Sequence, residues 1–243
     1  MSGMQIQGLT DTHCHLLPYV DDGAENLKES HALLARQWEQ GVETVFLTVH
    51  LRRKMFETPQ EEVEKQFYRL KEEFAGEEIP ELYLGRENHC DRLFLRCLEE
   101  NQVQTLGGSP YVLIEFHDHS SDDIRFFVHE VKKRGMLPVI AHFERYPAIH
   151  AHPELVDELV DQGVWLQMNT EGILGEEGRK MKKFCWTMLK EEKVKLVASD
   201  AHHMGFREPN LGKCAELLQK KLPGELCREI LFRNPEQIIE SIR

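Results

Sequence analysis

The sequence predicts an α/β fold in which seven parallel strands close, or nearly close, into a (β/α)7 barrel. Three observations predict it. Short β-branched or apolar runs alternate with helical patterns along all 243 residues, the alternation that builds a parallel sheet with right-handed crossovers. Seven strand readings end at His13, His50, Glu87, Glu115, His142, Asn169 and Asp200, spaced by 37, 37, 28, 27, 27 and 31 positions. Each interval is one strand–helix unit, and seven units in this length suit a barrel better than an open sheet. No linker or low-complexity insert interrupts them, so residues 1–243 are expected to form one domain.

The first strand, over 6–12, leads into His13-Cys14-His15. Residues 26–40 read as a helix with Leu27, Leu34 and Trp38 on one face and Gly41 as its stop. A strand over 42–49 ends at His50. Thr58-Pro59-Gln60-Glu61 predicts a helix start, with Thr58 as cap, Pro59 in first position and Glu61 closing a capping box. Val63, Phe67, Leu70 and Phe74 are that helix's buried stripe. Further strands are expected over 82–85, 111–114, 137–141, 164–168 and 194–199. Helices are expected over 91–100, 121–134, 153–162, 176–192, 211–221 and 223–232, with a last short turn near Asn234-Pro235.

Composition narrows the function. Hydrophobic residues make up 41% and charged residues 30%, which is a packed core under a charged shell and not disorder. Thirty Lys+Arg against 42 Asp+Glu leave a net charge of −12, which argues against a nucleic-acid partner. Bound metal ions would still admit a phosphorylated substrate by inverting the local sign. No apolar run reaches the ~18 residues of a membrane span, and Met-Ser-Gly-Met-Gln lacks the features of an export signal. Six cysteines without a CxxC pair indicate neither a disulfide framework nor a thiolate zinc site. A cytoplasmic protein without membrane insertion is expected.

Barrels of this kind collect their chemistry at the C-terminal ends of the strands. A lone His or Glu there is ordinarily a solvated loop residue. Seven polar ends in phase converge on one mouth and read as a shared metal site. His13 and His15 point to the same side of an extended strand with Cys14 turned away, and Asp200 and His202 repeat that spacing. Glu87 and Glu115 can bridge two cations. An N/O set without thiolates suits Mn²⁺, Fe²⁺ or Zn²⁺, and so many ligands exceed the needs of one tetrahedral ion. Arg145 and Arg207 fall in the loops after His142 and His202, where guanidinium forks match phosphate oxygens. Metals with arginines point to phosphoester hydrolysis by metal-activated water.

On these residues the chain resembles a PHP-domain phosphoesterase of the CpsB/YwqE-type (CpsB/CapC), the manganese-dependent bacterial protein-tyrosine phosphatases of capsule and exopolysaccharide loci. The carriers are Asp11-Thr12-His13-Cys14-His15, Val20-Asp21-Asp22-Gly23, Met55-Phe56-Glu57-Thr58-Pro59 and Leu113-Ile114-Glu115-Phe116. They continue in Val139-Ile140-Ala141-His142-Phe143-Glu144-Arg145-Tyr146 and Ala198-Ser199-Asp200-Ala201-His202. The resemblance implies the PHP fold, a distorted seven-stranded TIM-like barrel, and two or three ions, Mn²⁺ above all. It implies one metal on His13, His15, Glu87 and Asp200, a second on Asp22, His50 and His202, and a third on Glu87, Glu115 and His142. Arg145 and Arg207 match the family's substrate-phosphate arginines. The expected partner is the phosphotyrosine tail of a bacterial tyrosine autokinase, with Arg52, Arg53 and Lys54 meeting acidic or phosphorylated neighbours of the tyrosine. Leu51 after His50 and Arg86 before Glu87 depart from the family's pattern.

His89-Cys90 followed by Arg96 imitates the HCx₅R spacing of cysteine-dependent phosphatases. The intervening Asp-Arg-Leu-Phe-Leu has no glycine to shape a phosphate cradle, and Leu93, Cys97 and Leu98 continue a helical face on which Cys90 is expected to lie. A thiol mechanism is therefore not expected. The rivals are a PHP phosphatase of a small phosphomonoester such as histidinol phosphate, a PHP exonuclease, and a non-catalytic phosphotyrosine-binding regulator. His31 and His129 read as helical, and His117, His119, His150, His152 and His203 as loop residues. His203 and Asn169 are placed to support ligands from behind.

Overall fold

The computed structural model describes residues 6–242; Met-Ser-Gly-Met-Gln, read above for an export signal, lies outside the described residues. The strands are β1 (Leu9–Cys14), β2 (Val42–Leu51), β3 (Glu81–His89), β4 (Tyr111–Glu115), β5 (Leu137–Ile140), β6 (Trp165–Asn169) and β7 (Leu196–Ala198). They pair parallel in chain order from β1 to β7. Beyond β7, Cys14 pairs in parallel with Ala201, with His15 N–H donating to Ala201 O and Asp200 N–H to His13 O, both at 2.8 Å. The sheet thus nearly closes into a barrel, as the periodicity predicts. β1 and β4 are buried along their whole length, as parallel strands covered on both faces must be.

Helices α1 (Leu27–Glu39), α2 (Gln60–Glu73), α3 (Arg92–Glu99) and α4 (Ser121–Lys132) fill the first four crossovers. Helices α5 (Pro147–Ala151) and α6 (Glu154–Asp161) fill the fifth, and α7 (Thr170–Leu174) and α8 (Arg179–Lys190) the sixth. The chain ends on α9 (Leu211–Lys221), α10 (Gly224–Arg228), a π-helical turn and α11 (Asn234–Glu240). No helix among the described residues is long and apolar enough to cross a membrane.

Several local readings are corrected. Trp38 is 39% exposed, whereas Ser30 and Gln37 are buried on the inner face of α1. Both are polar because they serve buried acceptors: Ser30 Oγ donates to Leu16 O and Gln37 Nε2 to Asp11 Oδ2, each at 2.5 Å. The Thr58 capping box does not form, because its hydroxyl donates to Val20 O at 2.8 Å and Pro59 is the cap without a side-chain bond. Helix α8 starts late because Gly175 and Gly178 take φ of 94° and 95°, a backbone that helices exclude. His150 lies in α5, a helix too short to leave a period. Asn234-Pro235 opens α11 and is no turn, since proline is tolerated in a first helical turn.

Candidate metal centre

Strand ends deliver nine side chains to one mouth. His13 lies in β1, His50 in β2 and Glu87 in β3; Glu115 is the last residue of β4. His15 follows β1 directly, His142 and Asp200 come shortly after β5 and β7, His202 comes from the loop after β7, and Asp22 from the loop after β1. That loop folds tightly because Gly23 lets it close on His15; a Cβ there would lie 1.9 Å from His15 O. His142 and Asp200 hold left-handed φ of 30° and 53°, uncommon for side-chain-bearing residues and a local strain at the site.

The nine side chains form four overlapping groups, within each of which one ligand atom per residue lies within 4.8 Å of the others. The groups are His15, Asp22, His50 and His202; His13, His15 and Asp200; His13, Glu87 and His142; and His50, Glu87 and Glu115. This grouping differs from the one the resemblance implies. His142 gathers with His13 rather than with Glu115, and His50 also reaches the Glu87–Glu115 pair.

Outer hydrogen bonds decide which nitrogens face inward. Gln167 Nε2 donates to Asn169 Oδ1 at 2.8 Å, so its Oε1 accepts, and His13 Nδ1 donates to it at 3.0 Å. His15 Nδ1 donates to Asp21 Oδ2 at 2.8 Å and His202 Nδ1 to Asp200 O at 2.9 Å. Tyr146 spends its one O–H on Ala141 O at 2.6 Å, so it accepts from His142 Nδ1 at 3.2 Å. Each imidazole therefore turns Nε2 into the mouth, the arrangement in which an outer partner fixes a metal ligand's tautomer. His13 Nε2 and His15 Nε2 face each other at 3.2 Å, and His142 Nε2 faces Glu87 Oε1 at 2.7 Å. Lone pairs so opposed need a cation or a proton between them. Glu87 Oε2 is buried among His50 Nδ1, His15 Nε2 and His13 Nε2 at 3.0, 3.2 and 3.3 Å, and Asp200 Oδ1 is buried without a hydrogen-bond partner, crowding of the kind bound cations relieve. The residues present fit divalent cations.

The electrostatics agree. Burial disfavours a charged imidazolium, but Glu87 and Asp200 outweigh it and raise His13 to about 9. Burial likewise opposes charge on His15, while Asp21 and Glu87 raise it to about 10. Burial works against the carboxylates too, yet His13 and His50 hold Glu87 well below its usual range. His13 and Arg207 do the same for Asp200. His202 is pushed down to about 2 by burial and by the neighbouring His15. Without metal, protons on His13 and His15 balance the buried carboxylates; cations would displace them.

Both arginines border the mouth, a cavity of about 360 Å³ also lined by His50, Glu87, Glu115 and His142. Arg145 reaches Asp200 Oδ2 at 3.1 Å and is braced by Glu171 and Glu177, each at 2.7 Å. Arg207 pairs with Asp200 and meets His202 Nε2 at 3.2 Å. Asn169 Nδ2 donates to Asp200 Oδ2 at 2.7 Å. His203 bonds Asp22 O at 2.9 Å and Glu29 at 3.0 Å, fixing the loop that carries Asp22.

Sequence reasoning missed Asp21, Gln167, Tyr146 and His89, whose Nδ1 lies 3.1 Å from Glu115 Oε1. Gln167 shares a face of β6 with Asn169 through their i, i+2 spacing, a signal that could have found it; Tyr146 left none. Cys90 precedes α3 instead of lying on it. Its thiol is fully buried, which pushes it well above its usual pKa. It is not the activated thiolate that a cysteine mechanism requires.

The model of the family "Capsular polysaccharide synthesis, CpsB/CapC" matches residues 9–240. The chain is 36% identical to the tyrosine-protein phosphatase CpsB of Streptococcus pneumoniae, over 95% of this chain and 98% of the relative. It is 29% identical to the tyrosine-protein phosphatase YwqE of Bacillus subtilis, over 96% and 92%. A solved structure described with YwqE of Bacillus subtilis and CpsB of Streptococcus pneumoniae, "unique metal-dependent tyrosine phosphatases", superposes with a TM-score of 0.88 at 27% identity, covering 97% of this chain and 96% of that one. The phosphotriesterase homology protein of Escherichia coli, 12% identical, shares the fold alone, with a TM-score of 0.60 over 96% and 98%. The chain belongs to the CpsB/CapC family.

Proposed function

We propose that this CpsB/CapC family member is a metal-dependent protein-tyrosine phosphatase that uses Mn²⁺, two or three ions per mouth, and works as one domain over 1–243. The observation that carries the reading is the ring of inward-facing imidazole nitrogens around buried Glu87 and Asp200, bordered by Arg145 and Arg207. The names of its CpsB and YwqE relatives support the same activity. In this reading His13, His15, Asp22, His50, Glu87, Glu115, His142, Asp200 and His202 hold the ions. A set of five imidazoles and four carboxylates without thiolates suits Mn²⁺, with Fe²⁺ or Zn²⁺ as the alternatives, over metals that prefer sulfur. Bound there, the ions supply Lewis-acid activation of water and neutralise phosphoryl charge.

The chain's own residues do the rest. Gln167, Asp21 and Tyr146 hold the His13, His15 and His142 rings so that each presents Nε2. Glu171 and Glu177 brace Arg145 so that its guanidinium stays at the rim. Arg145 and Arg207 exchange part of their bonding to Asp200 for the phosphoryl oxygens, a charge-assisted contact that positions the group in line. A phenolate leaves without strong general-acid help, which suits an aryl phosphate and disfavours an alkyl one. We assign the substrate to the phosphotyrosine tail of a bacterial tyrosine autokinase in capsule or exopolysaccharide synthesis, met in the cytoplasm. The family's description supports the capsular polysaccharide part of that reading.

Phosphotyrosine peptide, phosphoserine peptide and histidinol phosphate competing at equal concentration with Mn²⁺ test the reading. Phosphotyrosine should give the highest kcat/KM. Preference for histidinol phosphate would reassign the protein to small phosphomonoesters, and peptide binding without turnover to a regulator.

A further inference from the structure

Beside the mouth lies a second basin of about 500 Å³ whose walls include Arg52, Arg53, Arg92, His117 and His119. It shares Arg52, His117 and Asp118 with the mouth, so the two are continuous. Arg52 and Arg53 arrive on a tight loop after β2, Arg92 opens α3, and His117 and His119 lie between β4 and α4. Arg52 N–H donates to Phe56 O at 2.9 Å and Phe56 N–H to Arg52 O at 2.8 Å, while Lys54 takes a left-handed φ of 65°.

Two of the three carboxylates in this basin, Asp91 and Asp123, already accept hydrogen bonds. Asp91 Oδ1 accepts from Leu93 N at 2.6 Å and Phe94 N at 3.2 Å, and its Oδ2 from Arg53 N at 3.0 Å. Asp123 Oδ2 accepts from Ser120 N and Oγ at 3.0 and 2.7 Å. Asp118 lies 3.7 Å from His117. Among the described residues no carboxylate pairs with the guanidinium groups of Arg52, Arg53 or Arg92. In a chain of net charge −12, forks left unpaired beside a mouth are placed for an anion brought from outside.

We propose that this basin is a second anion subsite that takes a carboxylate side chain flanking the phosphotyrosine, so that the protein prefers acidic phosphotyrosine segments. The proposal rests on the phosphotyrosine reading. Its occupant follows from the unpaired guanidinium groups and from the shared wall, because Arg52, His117 and Asp118 border both the mouth and the basin, within reach of a residue next to a phosphotyrosine seated in the mouth.

Three phosphotyrosine peptides of equal length with Glu, Gln or Lys flanks test it on the full-length Mn²⁺-loaded protein. The Glu-flanked peptide should exceed the Gln-flanked one in kcat/KM by about three- to tenfold at low salt, the size expected of two or three exposed ion pairs. The difference should lie in KM and shrink at high salt. In an R53Q/R92Q variant the KM of the Glu-flanked peptide should rise to that of the Gln-flanked one. Anisotropy of a non-hydrolysable phosphonate peptide should report the same ranking as binding. Equal KM for all three peptides in the wild type would overturn the subsite and leave the phosphatase reading intact. A preference that survives in R53Q/R92Q would overturn the residue assignment, and hydrolysis of none of the peptides would overturn both readings.

Discussion

Asp21 anchors two imidazole-bearing residues at once. Its Oδ2 accepts from His15 Nδ1 at 2.8 Å and from the His50 backbone N–H at 2.9 Å, while Oδ1 accepts from Gly23 N at 3.0 Å. Asp21→Asn keeps the shape but removes the charge that fixes the His15 tautomer. Mn²⁺ affinity measured by calorimetry should fall about 10- to 100-fold, with the circular dichroism spectrum retained; unchanged affinity would contradict the orienting role. Cys90→Ser is expected to leave turnover nearly unchanged, since its thiol is buried and protonated. A phosphocysteine trapped in the wild type would overturn that. At this scale the sequence was legible where spacing implied direction, as for His13 and His15, which sit two apart along extended chain; Asp200 lies beyond β7 with a left-handed φ of 53°, so its placement beside His202 is set by the loop. Asp21 stands beside Asp22 in a loop with no period, and only packing tells the ring-holder from the inward-facing neighbour.

Arg86 shows how one strand fixes the next element. It is 2% exposed and points away from the mouth, donating to His50 O at 3.1 Å, Thr58 O at 2.6 Å and Gln60 Oε1 at 3.2 Å. Burial lowers its pKa to about 10. It thus staples the loop carrying Arg52 and Arg53 between β3 and the start of α2, and Phe56 in that loop stacks on His50 at 5.1 Å. Arg86→Met leaves buried carbonyls unpartnered, so unfolding free energy should drop by about 1–3 kcal/mol. Limited proteolysis should then cut first between residues 52 and 59; a cut pattern like the wild type's would refute the staple. The strands and long helices were readable because burial imposes a period on them, as with Val63, Phe67, Leu70 and Phe74 along α2. Helices α5 and α7 were not, being single turns whose residues are set by contacts across the barrel end. The Thr58 box failed because a nearby carbonyl, Val20 O, competes for the same hydroxyl.

Across the whole molecule, the mouth stores opposed charges that protons or metal must balance. His13 and His15, at about 9 and about 10 in the metal-free chain, stand above the unfolded value of about 6.5. Their contribution is fully present below about 6.5 and is lost as pH rises through 9 to 10. His202, lowered to about 2, has the opposite sign: its contribution is present above about 6.5 and is lost as pH falls below that. The metal-free protein should therefore melt highest near pH 6.5 and lower at pH 9, and Mn²⁺ should remove the alkaline loss by replacing the protons. A metal-free melting temperature that climbs from pH 6.5 to 9 would contradict this balance. The barrel that gathers these groups was legible from seven polar strand ends in phase, whereas the overlap of the four ligand groups depends on side-chain reach that spacing does not encode. The most direct test is phosphotyrosine hydrolysis by protein stripped with EDTA, its metal content verified, and then titrated with Mn²⁺. Metal-dependent chemistry at this mouth predicts no turnover in the stripped protein and recovery with added Mn²⁺; full activity in metal-free protein would contradict it.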